Sequence, residues 1–258
     1  MTPPSLVRAH QVTVGYGGEP VIRGLDLTIE HGEFAVVVGP NGCGKSTLLK
    51  TLCRVNRPSG GRVELDGEDL HRMPGRAVAR RISLLPQSAT APEGITVAEL
   101  VTRGRHPHHS VLRQWSPDDD RAIAAALERT HLTDLADTPV ATLSGGQRQR
   151  AWVAMVLAQD TEFVLLDEPL NNLDMRHAVQ MMKHLRRAAE ELGRTIVIVL
   201  HDINFAGHYA DHICAMKDGA VVEFGSPAAI MTDEVLTRVF DTPVRVVDGP
   251  SGPLAVYY

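Results

Sequence analysis

The chain has few of the features that would carry it out of a cell or into a membrane. Only three cysteines occur, Cys43, Cys53 and Cys214, and an odd number without a regular spacing argues against a disulfide scaffold and fits a reducing compartment. The longest apolar runs, such as Phe34 to Val38 and Ile196 to Leu200, fall far short of the about 20 residues that span a bilayer. Thr2-Pro3-Pro4-Ser5 is polar and lacks the basic and apolar regions of a leader, so the protein is expected to stay where it is made. Positive charge is also not in excess: 26 Lys and Arg stand against 31 Asp and Glu, a formal net charge of −5. That balance gives no global attraction to nucleic acid or anionic lipid, and no nucleic-acid partner is expected. No low-complexity tract or internal repeat is apparent.

What remains is ordinary for a globular protein, with 43% hydrophobic and 22% charged residues. At 258 residues the chain is near the upper size for one core. A single domain over residues 1–258 with an inserted subdomain is therefore expected. Val12 and Val14, then Leu25, Leu27 and Ile29, alternate with polar neighbours as half-buried strands do, with a turn at Tyr16-Gly17-Gly18. Phe34 to Val38 is continuous and valine-rich, as a buried parallel strand should be. From about Ser88 to Gln159 helical patterns dominate, for example Asp119 to Leu127, whose start follows Pro117 and carries three aspartates. This stretch, about 88–159, reads as a helical insertion. Strand and helix then alternate through Phe163 to Leu166, Met175 to Leu192 and Thr195 to Leu200, which predicts a parallel sheet covered on both faces. Asp218-Gly219 marks a hairpin between Cys214–Met216 and Val221–Phe224. Ser226-Pro227 has the form of a helix start. A last hairpin is expected from Val244–Val247 and Leu254–Tyr258.

The strand at Phe34 runs into Gly39-Pro40-Asn41-Gly42-Cys43-Gly44-Lys45-Ser46, after which Thr47 continues a helix. This fits G-x-x-x-x-G-K-S, a loop whose backbone N–H groups curl around phosphate oxygens at a helix N-terminus. Lys45 would reach the β- and γ-phosphates, and the Ser46 hydroxyl would ligate Mg²⁺. Phe163 to Leu166 carries Asp167 to a strand end beside that loop, where a carboxylate can orient the Mg²⁺ shell, and Glu168 would point toward an attacking water. Leu143-Ser144-Gly145-Gly146-Gln147 forms a second small-residue loop opening a second helix. There Ser144 can cap the helix while the glycines expose N–H groups to an anion. Two features admit two readings. Cys43 has either a pKa lowered by the helix dipole or the role of an inert filler. Arg105-His106-Pro107-His108-His109 looks like a metal site but lacks a carboxylate set or helical i, i+4 spacing.

These motifs, in this order, resemble the ATPase subunits of ABC transporters over almost the whole chain. The resemblance implies an α/β P-loop NTPase of ABC type, with a RecA-like core of mostly parallel strands, an N-terminal antiparallel β subdomain and a helical insertion subdomain. It implies ATP and Mg²⁺ as cofactors. Tyr16 would stack on adenine, Gln87 would reach Mg²⁺, and His201 would contact the γ-phosphate. The loop of Ser144, Gly145, Gly146 and Gln147 would close over the ATP of a second copy, with Asp174 of Leu170-Asn171-Asn172-Leu173-Asp174 at the dimer seam. That last segment departs from the family's commoner Ser-Ala-Leu-Asp form. The implied partners are a second copy, integral membrane permease subunits and an extracytoplasmic binding protein, with the chain peripheral on the cytoplasmic face of the membrane. Thr102 to His108, and the stretch from Asp167 to Met175 with His201 to Ala206, resemble most closely the ATPases of iron-siderophore importers. Haem and cobalamin importers stand beside them as alternatives. A soluble ABC ATPase of DNA repair or translation, or a P-loop kinase, is a weaker reading, because neither paired cassettes nor a coiled-coil insertion is present and a kinase would not explain the Ser144 loop.

Overall fold

Each central strand sends alternate side chains into two separate cores, and the computed structural model shows why the strands are apolar throughout. The residues described are 6–109, 115–171, 173–250 and 252–258; Thr2 to Ser5 and Asn172 lie outside them. In chain order the elements are β1 (Leu6–Val14), β2 (Ile22–Glu30), β3 (Phe34–Val38), α1 (Lys45–Leu52), β4 (Gly60–Leu65), β5 (Glu68–Asp69), α2 (Gly75–Ala79) and β6 (Ile82–Leu85). There follow α3 (Val97–Thr102), α4 (Pro117–Arg129), α5 (Gly145–Ala158), β7 (Phe163–Asp167), α6 (Met175–Leu192), β8 (Thr195–Val199) and α7 (Ile203–Tyr209). The chain closes with β9 (His212–Lys217), β10 (Ala220–Gly225), α8 (Pro227–Ile230), α9 (Asp233–Phe240), β11 (Val244–Gly249) and β12 (Gly252–Tyr257).

The main sheet has the order β10-β9-β3-β8-β7-β6, parallel except for β10. Phe34, Val36 and Val38 enter one core with Val164, Leu166, Ile196 and Ile198. Ala35 and Val37 enter the other with Phe163, Leu165, Val197 and Val199. A strand buried on both faces has no polar alternation to show, which is why these segments read as continuous hydrophobic runs. The second core is shared with an antiparallel sheet of order β2-β1-β4-β5, and β11 and β12 pair as a separate hairpin.

Between β6 and β7 the described residues form helices and turns. Their starts are set by local chemistry. Thr96 and Glu99 form a reciprocal capping box on α3, and Ser116 caps α4 with Pro117 at its first turn. The same box appears at Ser144 and Gln147 on α5. α6 is stopped by Gly193 in the left-handed conformation. Among the described residues no helix is long and apolar enough to cross a membrane.

Candidate active site

Parallel strands deliver their functional residues at their C-terminal ends. β3 ends in the loop from Gly39 to Ser46, β7 in Asp167, β8 is followed by His201, and β6 leads to Gln87. Because β8, β7 and β6 are neighbours, their three termini converge.

The phosphate loop requires its first glycine. Gly39 has φ 147° and a Cβ there would come within 2.1 Å of the Met216 carbonyl oxygen. Lys45 is buried, and its ammonium donates to the carbonyls of Gly39 at 2.8 Å and Pro40 at 2.9 Å. The Ser46 hydroxyl donates to Asp167 Oδ1 at 3.0 Å. Asp167 Oδ2 is buried and has no hydrogen-bond partner. Burial pushes the Asp167 carboxyl above its ordinary value, the Glu168 charge adds to this, and the Ser46 bond only partly opposes it. A buried carboxylate with one orphaned oxygen beside a hydroxyl is a donor set for a hard cation such as Mg²⁺, so these residues fit that ion.

Glu168 faces a different set. It turns out of β7 at φ 54°, a conformation that costs roughly 1–3 kcal/mol in a side-chain-bearing residue. Its Oε1 lies 2.8 Å from His201 Nε2. Its Oε2 accepts from Gln87 Nε2 at 2.7 Å and from Asn171 Nδ2 at 2.6 Å. Burial works against the charge, but the bonds from His201, Asn171 and Gln87 and the field of His201 outweigh it, holding the carboxyl below its usual range. Adjacent carboxylates are thus driven in opposite directions: Asp167 keeps a free oxygen that a cation can satisfy, and Glu168 is held ionised, where it can accept a hydrogen bond from water.

Tyr16 is 64% exposed, while its hydroxyl sits 3.3 Å from Thr47 Oγ1 and accepts from Asn56 Nδ2 at 2.8 Å. The phenol is tethered beside the phosphate loop with its ring face available for stacking. Ser144 is exposed and caps α5, its Oγ accepting from Gln147 N at 3.2 Å while Gln147 Oε1 accepts from Ser144 N at 2.9 Å. Asp174 caps α6 through the His177 N–H at 2.9 Å and also binds His177 Nδ1.

The structure bears on both features that the sequence left with two readings. Burial raises the Cys43 thiol above its ordinary pKa, overriding the lowering effect of nearby Lys45 and the loop backbone, which argues against a reactive thiolate there. All three cysteines are free. Among the described residues the Arg105 to His109 segment belongs to no group of three or more His, Cys, Asp or Glu that could hold an ion. It is instead a clasp on the C-terminus of α5. Arg105 Nη1 donates to the Ala158 carbonyl at 2.8 Å, His108 Nε2 to Gln159 at 2.7 Å, and Arg194 Nη1 to Leu157 at 3.4 Å. Three basic side chains therefore cover three consecutive carbonyls at the negative end of the helix dipole. Gly104 permits the approach, since a Cβ there would meet the Met155 carbonyl oxygen at 2.2 Å. Sequence reasoning missed this clasp, the Asn56 tether and the Asn171 contact. A basic Gly-Arg-His-Pro-His run with no metal spacing was the available hint for the first.

The fold and this site define the class: a P-loop ATPase of ABC type, a parallel core with an antiparallel sheet beside it. The ABC transporter family profile matches residues 22–171. The chain is 47% identical over 244 residues to the ferric enterobactin transport ATP-binding protein FepC of Escherichia coli, covering 95% of this chain and 90% of that protein. It is 42% identical over 241 residues to the iron(3+)-hydroxamate import ATP-binding protein FhuC of Bacillus subtilis, covering 93% and 90%. Among solved structures, a metal-chelate type ABC transporter in an inward-facing conformation superposes with TM-score 0.83 at 26% identity, covering 100% of this chain and 97% of that one. A bacterial ABC transporter cassette solved as a dimer gives TM-score 0.77 at 28% identity, with coverage of 86% and 98%. The chain belongs to the ABC transporter family and is one of its ATP-binding, ATP-hydrolysing components.

Proposed function

We propose that this chain powers uptake of a ferric siderophore through separate membrane permease subunits, lying peripherally on the cytoplasmic face of the membrane and served by an extracytoplasmic binding protein. The observation that carries the ATPase half is the pair of adjacent carboxylates, Asp167 with an orphaned oxygen beside Ser46 and Glu168 gripped by His201, Gln87 and Asn171. The cargo rests on the relatives, named for enterobactin, achromobactin, hydroxamate and petrobactin systems. We take residues 1–258 as one domain, with about 88–159 as its helical subdomain.

In this reading the N–H groups of the loop from Gly39 to Thr47 and the Lys45 ammonium hold the phosphates, and Tyr16 stacks on adenine. Lys45 then exchanges its two loop carbonyls for phosphate oxygens. Ser46, Asp167 and Gln87 would hold Mg²⁺, which when bound supplies neutralisation of charge on the phosphoryl oxygens. Glu168 orients and deprotonates the attacking water, and His201 fixes that carboxylate while facing the γ-phosphate. Ser144, Gly145, Gly146 and Gln147 cover the nucleotide of a second copy, and Asp174 lies along the seam. Each site is then completed only by dimerisation, so ATP occupancy becomes a mechanical signal to the permease.

Glu168→Gln tests the chemistry. Hydrolysis should fall at least a hundredfold while ATP drives the variant into a stable dimer on size exclusion; wild-type turnover in that variant overturns the assignment. Uptake of radiolabelled ferric siderophore, compared with haem and cobalamin in cells carrying the cognate permease, tests the cargo.

A further inference from the structure

Away from the nucleotide site, two imidazoles meet nitrogen to nitrogen. His131 Nε2 lies 3.1 Å from His184 Nε2, with ring centroids 4.7 Å apart and planes at 67°. The residues come from different layers. His131 follows α4 in the helical segment between β6 and β7, and His184 sits in the middle of α6, which packs on β8. His131 is held in the left-handed conformation at φ 53°, with its N–H donating to the Glu128 carbonyl at 3.0 Å. That position after a helix favours glycine or asparagine, yet here it aims an imidazole across the layer boundary. The pair opens into a surface cavity of about 310 Å³ lined also by Glu128, Arg129, Arg187 and Glu191.

We propose that His131 and His184 form a two-histidine site for a borderline divalent transition-metal ion such as Zn²⁺ or Ni²⁺. Imidazole nitrogens bind Zn²⁺ at 2.0–2.1 Å. Two such ligands on one ion stand about 3.3 Å apart in tetrahedral geometry and about 2.9 Å apart as cis octahedral neighbours. The observed 3.1 Å separation falls between these values, so the two nitrogens are spaced for one ion once the rings turn their lone pairs toward it. Among the described residues no third His, Cys, Asp or Glu completes a set; water fills the other positions. The two arginines in the cavity oppose a cation, and the two glutamates offset them. Imidazole pairs select the Zn²⁺–Ni²⁺–Cu²⁺ group over hard ions, so Mg²⁺ at the nucleotide site does not compete. A bound ion would tie α4, and through it the layer that contains α5, to α6.

The test is a Zn²⁺ titration of the full nucleotide-free chain against a chromogenic zinc indicator, with His131→Gln, His184→Gln and, as control, His106→Gln. The wild type and the control should share a tightest site that each of the other two variants weakens about tenfold or more. Zn²⁺ should also raise Tm in wild type and control only, with all four metal-free proteins melting alike. Equal affinity in all four proteins, or loss of the tightest site in His106→Gln alone, overturns the proposal and leaves the contact a shared-proton hydrogen bond.

Discussion

Asn171 and Glu168 are joined twice across one turn: the Asn171 side-chain amide donates to Glu168 Oε2 at 2.6 Å, and its backbone N–H donates to the Glu168 carbonyl at 3.3 Å. The segment's departure from Ser-Ala-Leu-Asp therefore has a function within the chain itself. It fixes a carboxylate that leaves β7 in a strained backbone conformation.

Asn171→Ala should therefore lower kcat about tenfold with little change in KM for ATP, since a hydrogen bond to a charged group is worth roughly 1.5–3 kcal/mol and part is recovered by water. The same change removes one of the bonds that hold the Glu168 pKa down. A depressed carboxyl stabilises the fold above its unfolded pKa and loses that contribution as pH falls through the folded value. The acid limb of the pH–rate profile should thus move upward in the variant. Unchanged kcat and an unchanged acid limb would remove Asn171 from any positioning role.

Asp167→Asn should act in the opposite sense on stability. Burial raises the pKa of this carboxyl, so its charge costs stability progressively as pH rises from the unfolded value through the folded one, and the loss is complete above the folded value. Removing the charge should raise Tm of the nucleotide-free protein by about 2–4 °C for about 1 kcal/mol. The variant should simultaneously lose the Mg²⁺ dependence of ATP binding, which isothermal titration with and without Mg²⁺ reads directly. A stabilised protein with a disabled site is the expected trade.

Much of this was readable because it depends on local rules. The phosphate loop needs glycine geometry, the buried strands need apolar runs, and α6 from Met175 to Leu192 has the boundaries its periodicity predicts. The β4–β5 hairpin was overlooked although Asp66-Gly67 marks its turn, because β5 is only two residues long and offers no alternation. Two contacts were beyond any local rule. Arg194 reaches α5 across 37 residues of sequence and Asn56 reaches Tyr16 across 40, and long-range side-chain pairing leaves no periodic trace. Cys43 was ambiguous since a helix N-terminus and a buried position act oppositely on a thiol, and only the fold reveals which is larger.

The α5 clasp gives a prediction about stability. Arg105 and Asp119 are both buried and paired at 2.8 Å. Burial alone would raise the Asp119 pKa, but bonds from Arg105, Ser116 and His109 hold it far below the usual carboxylate range. Arg105→Met strands that charge and should cost about 3–5 kcal/mol, whereas His108→Ala removes one bond to a carbonyl and should cost about 1 kcal/mol. Urea unfolding of the two variants measures both; equal small losses would show that the clasp does not hold the helix end.

Tyr16 separates ring from hydroxyl. The exposed ring is the part that stacking on adenine would use, while the hydroxyl is bound to Asn56 and faces Thr47. If stacking is its role, Tyr16→Ala should raise KM for ATP about tenfold, as loss of an aromatic–base stack of about 1–3 kcal/mol implies, with kcat nearly unchanged because the ring is remote from the reacting phosphate. Tyr16→Phe keeps the face and loses only the tether, so its KM should stay within about threefold of wild type, the small loss reflecting a ring that must be ordered on binding. Steady-state ATPase assays on both variants decide the matter: equal KM values for Phe and Ala would assign the residue's contribution to its hydroxyl contacts and not to the base.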